Sequence, residues 1–177
     1  LTHGGVARRM IAFATSMVGH WYGGLGLAGV LACAFFAAIS GSSPATVVAI
    51  GSIILPAMVA QGFPKRFGAG VIATSGALGI LIPPSIILVI YAAIAELSVP
   101  KLLAAGLIPG LVLTVLYMMV ALVVVTVRPH YAPDRERYTM RQRVAALREP
   151  WQFIALFIVT IGGIYAGVFS PTEAASI

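Results

Sequence analysis

The chain has 177 residues, of which 60% are hydrophobic and 9% are charged, and its mean hydropathy is +1.02. This composition excludes an ordinary soluble domain and indicates a membrane protein. The formal net charge of +6 does not indicate nucleic-acid binding, because the basic residues form short clusters between apolar runs and no basic face carries interleaved aromatic residues. The single cysteine, Cys33, excludes an internal disulfide.

Residues 1–22 are predicted to form an amphipathic arm helix that lies along the membrane surface. On a helical wheel of residues 6–18, the polar arc holds Arg8, Arg9, Thr15 and Ser16. The opposite arc holds Val6, Met10, Phe13 and Met17. A helix with one cationic face and one apolar face suits the membrane interface. The alternative is the end of a preceding span that is flanked by two arginines.

Residues 23–64 contain two apolar stretches separated by a hydrophilic break. The stretches, Gly23–Ile39 and Ala45–Ala60, are each slightly shorter than the ~20 helical residues that a bilayer requires. The break between them reads "SGSSP", Ser40 to Pro44. Small and turn-forming residues therefore stand where exposed backbone would be most costly.

The distribution of charge predicts how this segment sits in the membrane. Basic residues outnumber acidic ones at Arg8–Arg9, at Lys65–Arg66 and over residues 128–148, so these regions are predicted to face the cytoplasm. The chain between the first two clusters must then enter the membrane and return. A re-entrant hairpin over residues 23–64, with its tip at residues 40–44, does so. Two full spans joined by a small neutral turn would do the same, and charge alone does not decide between them.

Residues 65–99 are predicted to form a broken transmembrane helix. The interruption reads "GALGILIPPS", Gly76 to Ser85. Within it, Pro83 and Pro84 remove two backbone donors and disfavour helical geometry in the residue before each proline. Apolar sequence on both sides of the break indicates that the broken helix still crosses the bilayer.

Three further segments follow in the chain. Residues 100–127 form a long apolar stretch that predicts a transmembrane helix. Residues 128–150 are a polar connector with six arginines, which is predicted to be cytoplasmic. Residues 151–177 contain another transmembrane helix and then "SPTE", Ser170 to Glu173, whose spacing is that of a capping box at the start of a next helix.

The two hydrophilic breaks together predict an ion and anion site. Irregular backbone at membrane depth persists only where protein or a wet cavity surrounds it. Helix ends offer carbonyl oxygens to a cation and amides to an anion. Because no Asp or Glu precedes Glu96, sodium is favoured over a proton as the coupling ion. The neutral oxygens and the glycines that allow close approach belong to Ser40, Ser42, Ser43, Thr46, Gly76, Gly79 and Ser85. The alternative is that the serines only cap helices, Ser43 capping the helix opened by Pro44, and that the glycines only allow packing.

The stretch "FFAAISGSSPATVVAIGSIILPAMVAQGFPKRFGAGVIATSGALGILIPPSIILVIYA", Phe35 to Ala92, resembles the large membrane subunit of tripartite ATP-independent periplasmic (TRAP) transporters. "GGIYAGVFSPTEAA", Gly162 to Ala175, is similar to a later stretch of that subunit. The resemblance implies part of an inverted-repeat, elevator-type carrier in the bacterial inner membrane. It also implies a sodium gradient, an organic acid substrate, a small membrane (Q-type) subunit and a periplasmic substrate-binding protein.

By this resemblance, the family's first hairpin corresponds to Leu25–Ala60, and its broken helix corresponds to residues 76–85. These elements are similar to those that hold one sodium ion and half of the substrate site. The predicted sodium ligands are Ser40, Gly41, Ser42, Ser43, Thr46, Gly76 and Gly79. The predicted substrate-binding residues are Ser42, Ser43, Pro83, Pro84 and Ser85.

Two other functions stay open at this stage. In a channel, the same breaks would form a static filter. In a membrane scaffold without transport activity, spacings such as Gly106 to Gly110 would serve helix packing alone. An enzyme is not expected, because no nucleophile stands with a candidate base and no metal-ligand spacing occurs, and no cofactor besides the coupling ion is predicted.

Overall fold

A computed structural model describes residues 6–19 and 21–128, together with the single positions 131, 155 and 162. All secondary structure in these ranges is helical, in agreement with the predicted all-α membrane protein. The helices are α1 (Val6–Val18), α2 (Gly24–Ser40), α3 (Ser43–Ala60), α4 (Lys65–Gly76), α5 (Leu78–Leu81), α6 (Ile86–Ile94) and α7 (Val99–Val127). The predicted connector and the segment after it lie outside the described residues, apart from Arg128 and the single positions.

Two of these helices, α3 and α7, are long and apolar enough to cross a membrane. Residues 65–81 and 86–94 meet the same criterion together, as a pair bent by 40°. Helix α2 is apolar but shorter, with 17 residues. The described part of the chain therefore contains two or three candidate spans beside a short apolar helix.

Helices α2 and α3 run antiparallel and are joined by Gly41 and Ser42 alone. Helix α2 ends because Gly41 adopts a left-handed φ of 59° while its N–H bonds the Ala37 carbonyl at 2.8 Å, a helix-ending geometry that glycine favours. Helix α3 has Pro44 in its first turn. N–H groups of a first turn make no hydrogen bond within the helix, so the proline, which has no N–H, removes none. The link lies within the predicted tip, residues 40–44.

The next helix is also interrupted, with one helical turn inside the interruption. Helix α4 ends at Gly76, the short helix α5 follows, and residues 82–85 are not helical. Ile82 is extended, as expected of a residue before proline. Ser85 then caps α6 by accepting a hydrogen bond from the Leu88 N–H at 3.4 Å.

An apolar core fills the space between α1, α2, α3 and the start of α4. Its largest fully buried side chains include Leu27, Ile50, Ile54 and Met58. A second, smaller cluster lies near the break and consists of Ala34, Ala37, Ala38, Leu78 and Ile82, with Leu113 and Tyr117 of α7 packed against it. Helix α2 of the hairpin is thus buried between the arm helix, α3, the broken helix and α7.

Helix α1 presents its apolar side to the protein. Phe13 packs on Phe35 of α2 with ring centroids 5.3 Å apart, while Arg8 and Arg9 are exposed. Burial within the protein does not follow the two arcs of the helical wheel at two positions, since Ser16 is buried and Met17 is 46% exposed. Burial follows the position of α2, and the Ser16 hydroxyl tolerates it by donating to the Phe13 carbonyl at 2.7 Å. A location at the membrane surface stays a prediction.

The start of α2, the α3–α4 turn and the end of α7 lie at one end of the described structure, which we call the basic end. A Cβ on Gly23 would lie 2.8 Å from a methyl group of Val125. The Phe67 and Tyr131 rings are 6.0 Å apart, and the Arg128 guanidinium lies over the Tyr131 ring. Two clusters that the sequence assigns to one membrane side, Lys65–Arg66 and the first arginine of the connector, are therefore neighbours.

Candidate functional site

The hairpin tip contacts the break in the broken helix directly, through backbone atoms. The Ile86 N–H donates to the Gly41 carbonyl at 3.4 Å. A Cβ on Gly41 would collide with the Pro84 carbonyl oxygen, and its φ of 59° already disfavours any other residue. Glycine at this position lets the end of α2 meet the start of α6.

A second contact joins the start of α3 to the other side of the break. A Cβ on Gly79 would lie 2.9 Å from the Ser42 carbonyl carbon and from the Ser43 nitrogen. A Cβ on Gly76 would collide with the Val47 side chain and would lie 3.6 Å from the Ser43 carbonyl oxygen. Two motifs that are separate in the sequence therefore form one place in the fold.

The Ser43 hydroxyl is buried at this contact without a hydrogen-bond partner among the described residues. It does not cap α3, as the sequence had suggested, because the helix starts at Ser43 and the cap position falls on Ser42. The Ser42 side chain makes no cap hydrogen bond either. A buried hydroxyl left unpaired costs ~1–3 kcal/mol, so the Ser43 oxygen is available to a ligand.

Sequence reasoning missed a second hydroxyl of the same kind. Ser75 lies at the end of α4, immediately before Gly76, and is 0% exposed. Its hydroxyl also has no partner in the described part of the chain. A serine inside an apolar helix, directly before a glycine that meets the hairpin, was the available signal. Ser43 and Ser75 are the two buried side-chain polar groups of the described residues that are left unsatisfied.

The other predicted site residues fall at or beside the same contact. Thr46 is fully buried, and its hydroxyl donates to the Ser42 carbonyl at 2.9 Å. Ser40 is the half-buried last residue of α2. Pro83 is buried between α5 and α6, while Ser85 is buried and serves as the cap of α6. The structure thus brings the predicted sodium and substrate residues together, and what they bind stays a prediction.

Helix α7 covers the break from a third side. A Cβ on Gly106 would lie 2.8 Å from the Leu81 carbonyl oxygen, and one on Gly110 would lie 3.0 Å from the Ile82 side chain. The buried Thr114 hydroxyl donates to the Gly110 carbonyl at 2.8 Å. The small residues of α7 therefore do serve packing, as the scaffold interpretation expected, and the surface they pack on is the break itself.

The site contains helix ends and neutral oxygens. Helices α2 and α5 end here with their carbonyl groups, and α3 and α6 start here with their amides. No acidic residue precedes Glu96 in the sequence, and Glu96 is exposed beyond α6. Among the described residues, no group of three or more His, Cys, Asp or Glu side chains could hold a metal ion. Such a site can bind a dehydrated alkali cation through oxygens, and an anion through amides and hydroxyls.

These features define a helical membrane protein in which the tip of a helical hairpin contacts the break of an interrupted helix, an arrangement typical of transport proteins with discontinuous helices. The whole chain, residues 1–177, matches the family model described as "Tripartite ATP-independent periplasmic transporter, DctM component". The chain therefore belongs to the DctM family of TRAP transporter permeases, and the resemblance inferred from the sequence is confirmed.

Named relatives agree with this assignment. The chain is 58% identical to the C4-dicarboxylate TRAP transporter large permease protein DctM of Rhodobacter capsulatus, with 99% of this chain and 43% of the relative aligned. It is 51% identical to the protein of the same name from Pseudomonas aeruginosa, over 100% of this chain and 41% of the relative. It is 37% identical to the ectoine TRAP transporter large permease protein TeaC of Halomonas elongata, over 99% and 41%. The chain spans about two-fifths of the length of these permeases, and none of the three is named as an enzyme.

Proposed function

We propose that this chain is part of the permease subunit of a sodium-coupled importer of organic acids, with C4-dicarboxylates as the first substrates to test. The observation that carries the proposal is the backbone contact between the hairpin tip and the broken helix, with the unpartnered Ser43 hydroxyl beside it. Two interrupted helices that meet inside a membrane protein supply the oxygens and amides that a transported ion and anion require.

Sodium is proposed as the coupling ion because the available ligands are neutral oxygens. The Ser43 hydroxyl is unpaired, and the contact of Gly79 with the start of α3 brings backbone atoms of both breaks within reach of one ion. A proton-coupled site would need a titratable group, and the chain has no carboxylate before Glu96. Ser40, Gly41, Thr46 and Gly76 are proposed as the remaining contributors, although the Gly41 carbonyl already accepts the Ile86 N–H.

The substrate is proposed to be a carboxylate that meets the amide ends of α3 and α6. Positive helix ends attract anions, and α3 and α6 both start at the contact. Relatives at 58% and 51% identity carry C4-dicarboxylate in their names, which motivates succinate as a probe. Ser42, Ser43, Pro83, Pro84 and Ser85 are proposed to line this half of the substrate site.

The hairpin is proposed to be re-entrant. The tip lies at the level of Pro84, and α6 continues for nine apolar residues beyond that level. At 1.5 Å per residue, α6 extends about 14 Å further, so the tip would lie inside the hydrocarbon layer if α6 crosses the remainder. Two full spans would instead bring the tip to the far surface.

The basic end is proposed to face the cytoplasm of the bacterial inner membrane. In intact cells that produce the full-length permease with Cys33→Ala, an impermeant maleimide should label Lys101→Cys and leave Lys65→Cys unlabelled until the cells are opened. Both side chains are exposed in the structure, so access depends on the membrane side. Labelling of Lys65→Cys in intact cells together with protection of Lys101→Cys would overturn the orientation.

The complete transporter is proposed to include a small Q-type membrane subunit and a periplasmic substrate-binding protein that delivers the acid. A relative from Oleidesulfovibrio alaskensis is named as an isethionate TRAP transporter permease protein DctMQ, and the chain covers 27% of its length. Transport is proposed to follow an elevator movement, in which the hairpin and the broken helix move as one unit because backbone contacts join them.

The decisive experiment is uptake of labelled succinate by the full-length permease, with its small subunit and binding protein, in proteoliposomes. Uptake should require a sodium gradient and should not respond to an imposed pH gradient when sodium is replaced by choline. Uptake that persists without sodium and follows the pH gradient would overturn the proposed coupling. Uptake that needs neither the binding protein nor any gradient and does not saturate would instead indicate a channel.

One pair of variants tests whether the Ser43 hydroxyl at the tip contributes to sodium binding. Ser43→Ala removes the unpartnered hydroxyl and should raise the sodium concentration for half-maximal uptake about tenfold to a hundredfold, because a hydrogen bond to a charged group contributes ~1.5–3 kcal/mol. Ser52→Ala is the control on the same helix, since that hydroxyl already donates to the Ala49 carbonyl at 3.0 Å. Equal sodium requirements in both variants and the parent would remove Ser43 from the site.

A further inference from the structure

A comparison of hydroxyl groups singles out Ser75. In apolar helices, Ser and Thr side chains commonly donate to a backbone carbonyl three or four residues earlier. Seven described hydroxyls do so, those of Thr15, Ser16, Thr46, Ser52, Thr74, Thr114 and Thr126. Ser75 has carbonyl groups at the same spacing on its own helix, yet its buried hydroxyl has no partner. Local helix chemistry therefore does not account for this hydroxyl.

The position of Ser75 connects it to the tip. It immediately precedes Gly76, whose absent Cβ would lie 3.6 Å from the Ser43 carbonyl oxygen. The second unpartnered hydroxyl belongs to Ser43 itself. Among the described residues, the two unsatisfied side-chain oxygens thus lie on opposite sides of the contact. Ser75 is at the end of α4, and Ser43 is at the start of α3.

We propose that Ser75 supplies a side-chain oxygen to the coupling ion, from the broken-helix side of the site and opposite Ser43. The proposal rests on the sodium coupling proposed above and adds a residue that sequence reasoning did not include. A hydroxyl oxygen is a suitable ligand for a hard alkali cation, and an ion would satisfy two buried oxygens that the protein leaves unpaired. The ion then also links α4 to α3, so its binding stabilises the contact between the two breaks.

The test uses sodium-dependent thermal stability of the purified full-length permease with its small subunit, in detergent and without substrate. Sodium chloride is titrated against choline chloride at constant ionic strength. Ser75→Ala should raise the sodium concentration for half-maximal stabilisation about tenfold. Without sodium, the melting temperature of Ser75→Ala should equal or exceed that of the parent, because the variant no longer buries an unpaired hydroxyl.

Two further variants separate an ion ligand from a structural group. Ser75→Cys keeps the approximate volume but replaces a hard oxygen with a soft sulfur, so its sodium midpoint should shift like that of Ser75→Ala. Thr74→Val is the matched control on the same helix, because the Thr74 hydroxyl is exposed and already donates to the Gly70 carbonyl at 2.8 Å. Its sodium midpoint should equal that of the parent.

Each remaining result decides against the assignment. Unchanged sodium midpoints in both Ser75 variants would overturn it while leaving sodium coupling intact. A lower melting temperature without sodium, combined with an unchanged midpoint, would show that Ser75 holds a structural water or a protein group. If the parent itself shows no specific stabilisation by sodium, the proposed coupling fails, and the role of Ser75 fails with it.

Discussion

The two halves of the hairpin are built differently, although the same two helices form both. Between its ends and towards the basic end, α2 packs through glycine on side chains: a Cβ on Gly29 would lie 3.5 Å from side-chain carbons of Ile54 and Ile72. At the tip, two glycines face backbone: Gly41 faces Pro84, and Gly79 of α5 faces Ser42 and Ser43. Side chains can change rotamer to accept a new atom, whereas backbone atoms held in two helix ends cannot. The half of the hairpin near the basic end, the basic half, is therefore packed as an ordinary apolar core. At the tip, the backbone of the α2–α3 link touches the backbone of the interruption between α4 and α6, and we call this the fitted contact.

The largest effect is expected from Gly41→Ala. The variant adds a Cβ where the Pro84 carbonyl already stands, at a left-handed φ of 59°. Left-handed geometry costs a non-glycine residue roughly 1–2 kcal/mol, and overpacking a rigid site costs about 1–3 kcal/mol more. We expect a lower melting temperature of the full-length permease and loss of its sodium-dependent stabilisation.

Gly62→Ala is the matched control for that variant. Gly62 has a φ of 91°, but a Cβ there would meet nothing within 4 Å. The control therefore carries the conformational cost without the collision. If both variants lower the melting temperature equally and both keep sodium-dependent stabilisation, the tip and the break are not in the fitted contact described here.

Much of this comparison was available from the sequence, because it depends on local chemistry. The "SGSSP" and "GALGILIPPS" motifs gave the positions of both breaks, since proline and glycine act on their own segment. The register in which the breaks meet was not available, because the hydrogen bond from Ile86 to Gly41 joins residues far apart in the chain. Ser75 was missed for the same reason: an unpaired hydroxyl is recognised only when its surroundings are known.

An intermediate effect is expected from Gly79→Ala. Its Cβ would lie 2.9 Å from two backbone atoms at the start of α3, so α5 and α3 must separate by a few tenths of an ångström. We expect a loss of ~1–3 kcal/mol in stability, together with weaker sodium binding. Gly29→Ala is the control in the basic half: 3.5 Å is an ordinary contact distance and Gly29 lies inside α2, so this variant should not lose stability and should gain up to roughly 1 kcal/mol. Equal losses in the two variants would remove the distinction between the halves.

The smallest effect is expected from Gly70→Ala, and its sign is informative. Gly70 lies inside α4, and a Cβ there would meet nothing within 4 Å. Replacing a helix-interior glycine with alanine in open space should stabilise the protein by roughly 0.5–1 kcal/mol. The reverse change at the adjacent exposed residue, Ala69→Gly, should destabilise it by a similar amount. Thermal melts of the full-length permease in detergent measure both.

Opposite shifts of similar size would show that this side of α4 is open in the complete transporter, in contrast to the side that carries Gly76. Destabilisation by Gly70→Ala would instead show that another part of the permease, or the small subunit, packs closely on Gly70. In that case α4 would be held by backbone-close contacts on two sides. The fitted contact would then extend from the tip along the helix, and the division between an apolar basic half and a fitted tip would no longer describe α4.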